Sequence, residues 1–308
     1  MEYIAGVDGG ASKTHCVIGG TRGNILSEGF SGGSNYQVSG REAAGAAIKD
    51  AVSKAAAKLN IDITDIKYTV LGLAGADMKI DYQILNEVCS SFLKPGSFKI
   101  LNDTWIGLRA GIAENYGIVT ICGSGAACSG RNSAGQEVTL RNLNYEAGNI
   151  GGGEHIARMA LHYAFRSEEG TGRKTAVQNE IMKLFEIKTM EELIVMLRSM
   201  KVEPSKIYHI PILVSRLANE GDEVCQDILI HIGHEMGEIA GGVIRRLGMC
   251  SQAFKVTLIG GVFQSNCQLL MDEYTTTVHR TAPFAHIGVA GQKPAVGAYL
   301  LARDMAGV

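Results

Sequence analysis

Apolar residues recur along the chain with two periods, and each change of period marks an element. Tyr3–Val7 and Thr14–Ile18 are short apolar runs, and a third starts at Ile25 after the turn-like Thr21-Arg22-Gly23-Asn24. The chain therefore opens with three strands joined by tight turns. From residue 41 to 60 the spacing widens. Ala44, Ile48, Val52, Ala55 and Leu59 lie three or four apart, one face of an amphipathic helix. A strand over Ile66–Leu73 runs into Ala74-Gly75-Ala76, a helix is predicted over 82–92, and a short strand from Phe98 to Leu101 delivers Asn102-Asp103-Thr104 to its end. The spacing predicts a further helix over 105–113.

Near residue 118 the opening pattern returns. Ile118–Cys122 is apolar and meets Gly123-Ser124-Gly125-Ala126, and another strand leads to the turn-like Asn132-Ser133-Ala134-Gly135. Strand, glycine turn, strand, polar turn thus occurs twice, which predicts two similar halves. The second half holds a glycine cluster at Gly148–Gly153, helical stretches over 154–218 and a long helix over 223–247. Phe254–Ile259 is a strand ending in Gly260-Gly261, and a helix over 294–305 closes the chain with proline in its first turn. Strands alternating with helices predict an α/β fold.

Composition narrows the function classes. At about 150 residues per domain, 308 residues suit two domains. The net charge of −2 leaves no basic field for nucleic acid or an anionic membrane. No apolar run approaches the roughly 20 residues of a membrane span, and Met1-Glu2-Tyr3-Ile4 lacks the basic start and apolar core of a signal peptide. Seven dispersed cysteines without a C-x-x-C pair read as reduced thiols of a cytoplasmic protein. Thirty-nine glycines, set in clusters between apolar runs, suit tight turns where backbone meets ligand.

Four of those turns carry candidate chemistry. In Gly6-Val7-Asp8-Gly9-Gly10-Ala11-Ser12-Lys13-Thr14 the glycines let backbone N–H groups approach an anion, Ser12 and Thr14 add hydroxyls, and Lys13 adds charge. The spacing is not that of a Walker A loop, and an ordinary glycine hairpin is the alternative. Asp8 stands where a carboxylate would organise magnesium. Asn102-Asp103 lies at a strand-to-helix junction, where a helix cap explains an aspartate equally well. Gly123-Ser124-Gly125 offers a second phosphate turn. It is not a nucleophile elbow, since Cys122 and Ala126 replace the required glycines. Gly260-Gly261 would let a ribose or flat ring pack on backbone. His231-x-x-His234-Glu235 does not match a zinc motif and reads as a helix surface.

The order of these motifs resembles the sugar kinase, Hsp70 and actin superfamily, and within it the N-acetylglucosamine kinase and BadF/BadG ATPase family. The resemblance implies two ribonuclease H-like domains around a nucleotide cleft: 1–117 with 291–308, whose closing helix returns to the N-terminal domain, and 118–290. It implies ATP and magnesium, with Asp8 orienting the ion through water. The phosphates would be held by Gly9, Gly10, Ser12, Lys13, Thr14, Gly123, Ser124 and Gly125, and the adenosine by Gly260 and Gly261. Asp103 matches the general base that accepts the proton of a sugar 6-hydroxyl. Asn35, in Ser34-Asn35-Tyr36, matches a sugar contact. The resemblance also implies a homodimer.

One segment departs from the family pattern. Where Gly-Asp-Glu-Gly is common, this chain has Gly148-Asn149-Ile150-Gly151. Asn149 can still hydrogen-bond the sugar, but a pocket without that carboxylate repels an anionic substituent less. The expected acceptors are therefore N-acetylglucosamine and also N-acetylmuramic acid, with Glu146 close enough to restore the charge; glucosamine is an alternative. The resemblance also admits ATPase activators of dehydratases, which hold a bridging iron–sulfur cluster. Their ligand cysteine has no counterpart in 149–153. A non-catalytic sugar sensor is a third reading.

Overall fold

The three opening strands form where the apolar runs predict them: β1 (Tyr3–Gly9), β2 (Thr14–Gly20) and β3 (Ile25–Ser31), each antiparallel to the next. The computed structural model describes residues 2–143, 145–265 and 267–306. After α1 (Tyr36–Ser39) and α2 (Arg41–Ala57) come β4 (Ile66–Leu73), α3 (Lys79–Ser90), β5 (Phe98–Asn102) and α4 (Asp103–Gly111). β4 pairs parallel with β1, and β5 with β4, so the first sheet runs β3-β2-β1-β4-β5.

Both faces of this sheet are covered, which is why β2 is buried along its whole length. On one face Val7, Ile18, Leu71 and Leu73 pack with Ile48, Ala51, Val52 and Ala55 of α2 and Leu85 of α3. On the other, Ile4, Val17 and Val70 meet Ile106 of α4 and the closing helix α11 (Pro294–Met305). A Cβ on Gly6 would come within 2.1 Å of the Tyr299 amide nitrogen, so only glycine lets α11 lie this close to β1. With both faces buried, the chemistry is left to the strand ends.

The second sheet is built from β6 (Gly117–Cys122), β7 (Ala126–Arg131), β8 (Glu137–Thr139), β9 (Phe254–Ile259) and β10 (Ala285–Val289), in the order β10-β9-β6-β7-β8. Read from β8, this repeats the order of the first sheet. The helical stretch over 154–218 resolves into α5 (Gly152–Glu169), α6 (Val177–Phe185), α7 (Met190–Arg198) and α8 (Pro204–Asn219). Left-handed residues Gly170 and Glu186 end the first two. α9 (Glu223–Arg246) packs along α10 (Gln268–Thr281). Among the described residues no helix is long and apolar enough to cross a membrane.

The chain divides into two compact units. One takes the chain up to Val119, Ser129–Glu137 and the stretch from Gly288 onward; the other takes Thr120–Cys128 and Val138–Ile287.

Candidate functional site

In the first unit, parallel pairing brings three strand ends level. Gly9, Leu73 and Asn102 share one row of the register, with Asp8, Gly72 and Leu101 in the row before it. Carboxylates follow from each strand: Asp8 from β1, Asp77 from the loop after β4, and Asp103 directly after β5.

The cap of α4 is Asn102, not Asp103. Asn102 Oδ1 accepts from the Thr104 amide at 3.0 Å and from Thr104 Oγ1 at 2.5 Å, and Ser129 Oγ donates to that hydroxyl at 2.8 Å. With its oxygen committed, Asn102 turns Nδ2 toward Asp77 Oδ1, 3.0 Å away, and the Ala76 carbonyl. Asp103 is thereby relieved of the capping role and opens α4 with its carboxyl group half-buried at the strand end.

The three acids hold their protons unusually tightly. Asp103 is pushed up to about 7, chiefly by burial and then by the nearby Asp8 carboxylate. Asp8 rises to about 6 through burial, which the Lys13 charge opposes. Asp77 rises to about 7 through burial, then the charges of Asp103 and Asp81. A carboxyl poised near neutrality at a rigid strand end is suited to general base catalysis. Sequence reading missed Asp77. Its signal was present: an acid just beyond a strand that runs into Ala74-Gly75-Ala76, much as Asp8 stands against Gly9-Gly10.

The residues of the first hairpin take different roles. Gly10 N–H donates to the Lys13 carbonyl at 2.9 Å, closing a loop that leaves Ser12 and Lys13 exposed. Thr14 is buried and its hydroxyl donates to the Gly32 carbonyl at 2.7 Å, so it secures the loop and presents no donor to a ligand. A Cβ on Gly9 would lie 2.5 Å from Leu73 Cδ2 and from Ser34 Oγ, so a larger residue there has to displace both side chains. Magnesium commonly takes one or two protein carboxylates beside phosphate oxygens. Asp8 fits that role as a single carboxylate; among the described residues no group of three His, Cys, Asp or Glu side chains is placed to hold a metal.

Asn35 caps α1, its Oδ1 accepting from the Gln37 amide at 3.0 Å. The same oxygen lies 2.7 Å from where a Cβ of Gly75 would stand, so Asn35 abuts the loop that carries Asp77. Asp81 joins the two segments. Its carboxylate accepts from Tyr36 Oη, from the Met78 amide at 2.6 Å and from the Asp77 amide at 3.1 Å. Asn35, Asp77 and Asp103 thus form one surface patch on the first unit.

In the second unit, the end of β9 runs against the second hairpin. Gly260 has φ +110°, and a Cβ would lie 2.2 Å from the Cys122 carbonyl oxygen. The start of α5 is tied to the same turn: the Gly153 amide donates to Gly123 O at 2.8 Å and the Glu154 amide to Ser124 O at 3.0 Å. Gly123, Gly125 and Gly261 differ from Gly260. A Cβ on any of the three would meet open space, so internal packing does not explain them. Their bare backbone leaves room for a phosphate or ribose to approach.

Asn149 is engaged elsewhere. Its Nδ2 donates to the carbonyls of Ala126 at 2.7 Å and Leu143 at 2.9 Å, tying the loop before α5 to the hairpin. A carboxylate, which has no donor, could not make these bonds. Glu146 is exposed in a short 3-10 turn, Tyr145–Ala147. His234 of the histidine pair bonds Glu273 of α10 at 3.1 Å and acts in helix packing. Cys122 and Cys128 are buried thiols, both pushed up to about 12 by burial, and Cys122 Sγ accepts from the Gly152 amide at 3.3 Å. Neither is disposed as a cluster ligand.

Known proteins resemble the chain along its whole length. It is 29% identical over 304 residues to the N-acetylmuramic acid/N-acetylglucosamine kinase of Clostridium acetobutylicum, covering 99% of each protein. It is 26% identical to an N-acetyl-D-glucosamine kinase of Dictyostelium discoideum, covering 98% of each. A crystal structure from Chromobacterium violaceum, of a candidate N-acetylglucosamine kinase, superposes with a TM-score of 0.77 at 18% identity, covering 98% of this chain and 99% of that one. With residues 5–302 matching the family as a whole, the chain belongs to the BadF/BadG/BcrA/BcrD ATPase family.

Proposed function

We propose that the protein is an amino-sugar kinase that transfers the γ-phosphoryl group of ATP to the 6-hydroxyl of N-acetylglucosamine. N-acetylmuramic acid is the second acceptor, on the strength of the Clostridium relative; Asn149, bound to backbone, does not bear on that choice. The observation that carries the reading is Asp103, freed from capping by Asn102 and raised by burial to about 7. There it accepts the proton of the sugar hydroxyl as that oxygen bonds to phosphorus and the bond to the ADP oxygen breaks. Mounting on the end of β5 holds the carboxyl in place without reorganisation.

Asn35 and Asp103 orient the sugar. Ser12 and Lys13 are exposed donors for the phosphates, and the bare backbone of Gly123, Ser124, Gly125 and Gly261 is offered to the nucleotide. Magnesium, held by Asp8, would neutralise charge developing on the phosphates. The buried, engaged thiols favour this reading over an iron–sulfur activator.

A coupled ADP-release assay with Mg-ATP tests it, run with glucose, glucosamine, N-acetylglucosamine and N-acetylmuramic acid. The expected result is release that depends on an N-acetylated sugar and falls at least about 100-fold in Asp103→Asn. Hydrolysis indifferent to sugar and to that substitution overturns the reading.

A further inference from the structure

Asp77 is the one carboxylate of the first unit's strand ends that no role above uses. Its Oδ1 is fixed by Asn102 Nδ2 at 3.0 Å, and Asn102 is itself buried and held by Thr104 and the Ala76 carbonyl. Its backbone is fixed from the other side, where its amide donates to Asp81 Oδ2 at 3.1 Å. Among the described residues nothing bonds Oδ2. The side chain is therefore immobilised on one oxygen, half-buried, and left with an acceptor on the other. Asp103 is the residue next to its anchor, and Asn35 abuts Gly75, two residues before it.

We propose that Asp77 is a specificity-determining residue of the acceptor site, its second carboxylate oxygen accepting a hydrogen bond from the sugar 4-hydroxyl. The inference rests on the kinase reading above. In a hexose the 4-hydroxyl is the ring hydroxyl nearest the 6-hydroxyl. A carboxylate one side chain away from the base meets it first. Engaging both hydroxyls from one rigid strand end fixes the rotation about C5–C6 that aims the attacking oxygen. The 3-position, where a lactyl ether stands in N-acetylmuramic acid, plays no part in this contact. Asp77 therefore reads a feature that both N-acetylated sugars share.

The test is a cycle of three sugars and two proteins. N-acetylglucosamine and its 4-deoxy and 3-deoxy analogues are assayed with wild type and Asp77→Asn, whose retained Oδ1 still accepts from Asn102. A melting curve checks the fold. Removing a hydrogen bond to a charged group costs a wild-type enzyme about 10- to 100-fold in kcat/KM, and that is the penalty expected for the 4-deoxy sugar. In Asp77→Asn the 4-deoxy penalty should shrink to within about threefold, the KM for N-acetylglucosamine should rise, and the KM for ATP should stay unchanged. A 4-deoxy penalty that persists in full in the variant, or one that moves to the 3-deoxy sugar, overturns the assignment. Asp103→Asn is run alongside. If it still phosphorylates sugar at near wild-type rate, the kinase reading with Asp103 as base has failed; if it is inactive while the Asp77 cycle is additive, only the present inference has.

Discussion

The two sheets share a strand order yet finish their strands with opposite kinds of residue. In the first unit the ends of β1 and β5 and the loop after β4 present Asp8, Asp103 and Asp77. In the second, the matching end of β6 presents buried Cys122 and then Gly123-Ser124-Gly125, and the end of β9 presents Gly260-Gly261. One unit offers titratable carboxyls with raised proton affinity; the other offers neutral backbone with open space above it. The fold repeats as architecture, and the division of labour lies in the few residues at the strand ends.

The sharpest way to break this comparison is Asp103→Asn. The account predicts a fall in kcat of about 100- to 10,000-fold with little change in melting temperature, measured by steady-state kinetics and differential scanning calorimetry. A fall in stability of similar weight would make Asp103 structural. Next come two adjacent glycines of the second unit. Gly260→Ala places a Cβ against Cys122 O at a left-handed φ and should cost about 2 to 5 kcal/mol in urea unfolding. Gly261→Ala should change stability by less than about 0.5 kcal/mol but weaken nucleotide binding about tenfold. If the two variants behave alike, the distinction between packing glycines and ligand-facing glycines fails.

Asn149→Asp is expected to lower stability by about 2 kcal/mol, because two carbonyls lose their donor and face a carboxylate. A further prediction concerns pH. Asp77 and Asp103 are each raised to about 7 in the folded protein, against roughly 4 when unfolded. The native state therefore binds more protons between those values, and stability falls as pH rises from about 4 through about 7. Asp8, Asp81 and Lys13 share the patch and modulate the slope. Urea midpoints at pH 5 and pH 8 should differ in wild type, in favour of pH 5, and differ less in Asp103→Asn.

Sequence periodicity sufficed for the elements that alternate cleanly, among them the opening hairpins, β4, β9, α9 and α11. It set no bounds for α10, whose Thr275-Thr276-Thr277-Val278 run is a poor helix former and is helical because it packs on α9. It missed β10, a five-residue strand with exposed ends. The loops at the strand ends were legible as candidate turns, but the individual roles were not. That Asn102 caps α4, that Thr14 bonds Gly32 and that Asn149 bonds two carbonyls depends on contacts made across 2, 18 and up to 23 residues, which spacing alone does not reveal. Asp77 escaped because its anchor, Asn102, lies 25 residues away on a neighbouring strand.

The central claim is that proton transfer belongs to Asp103, and that nucleotide holding belongs to the backbone turns of the second unit together with Ser12 and Lys13. Equilibrium binding of a non-hydrolysable ATP analogue to Asp103→Asn tests it most directly. The account predicts wild-type affinity within about threefold in a protein that no longer turns over sugar. Loss of nucleotide binding in that variant, or retained turnover, would contradict it.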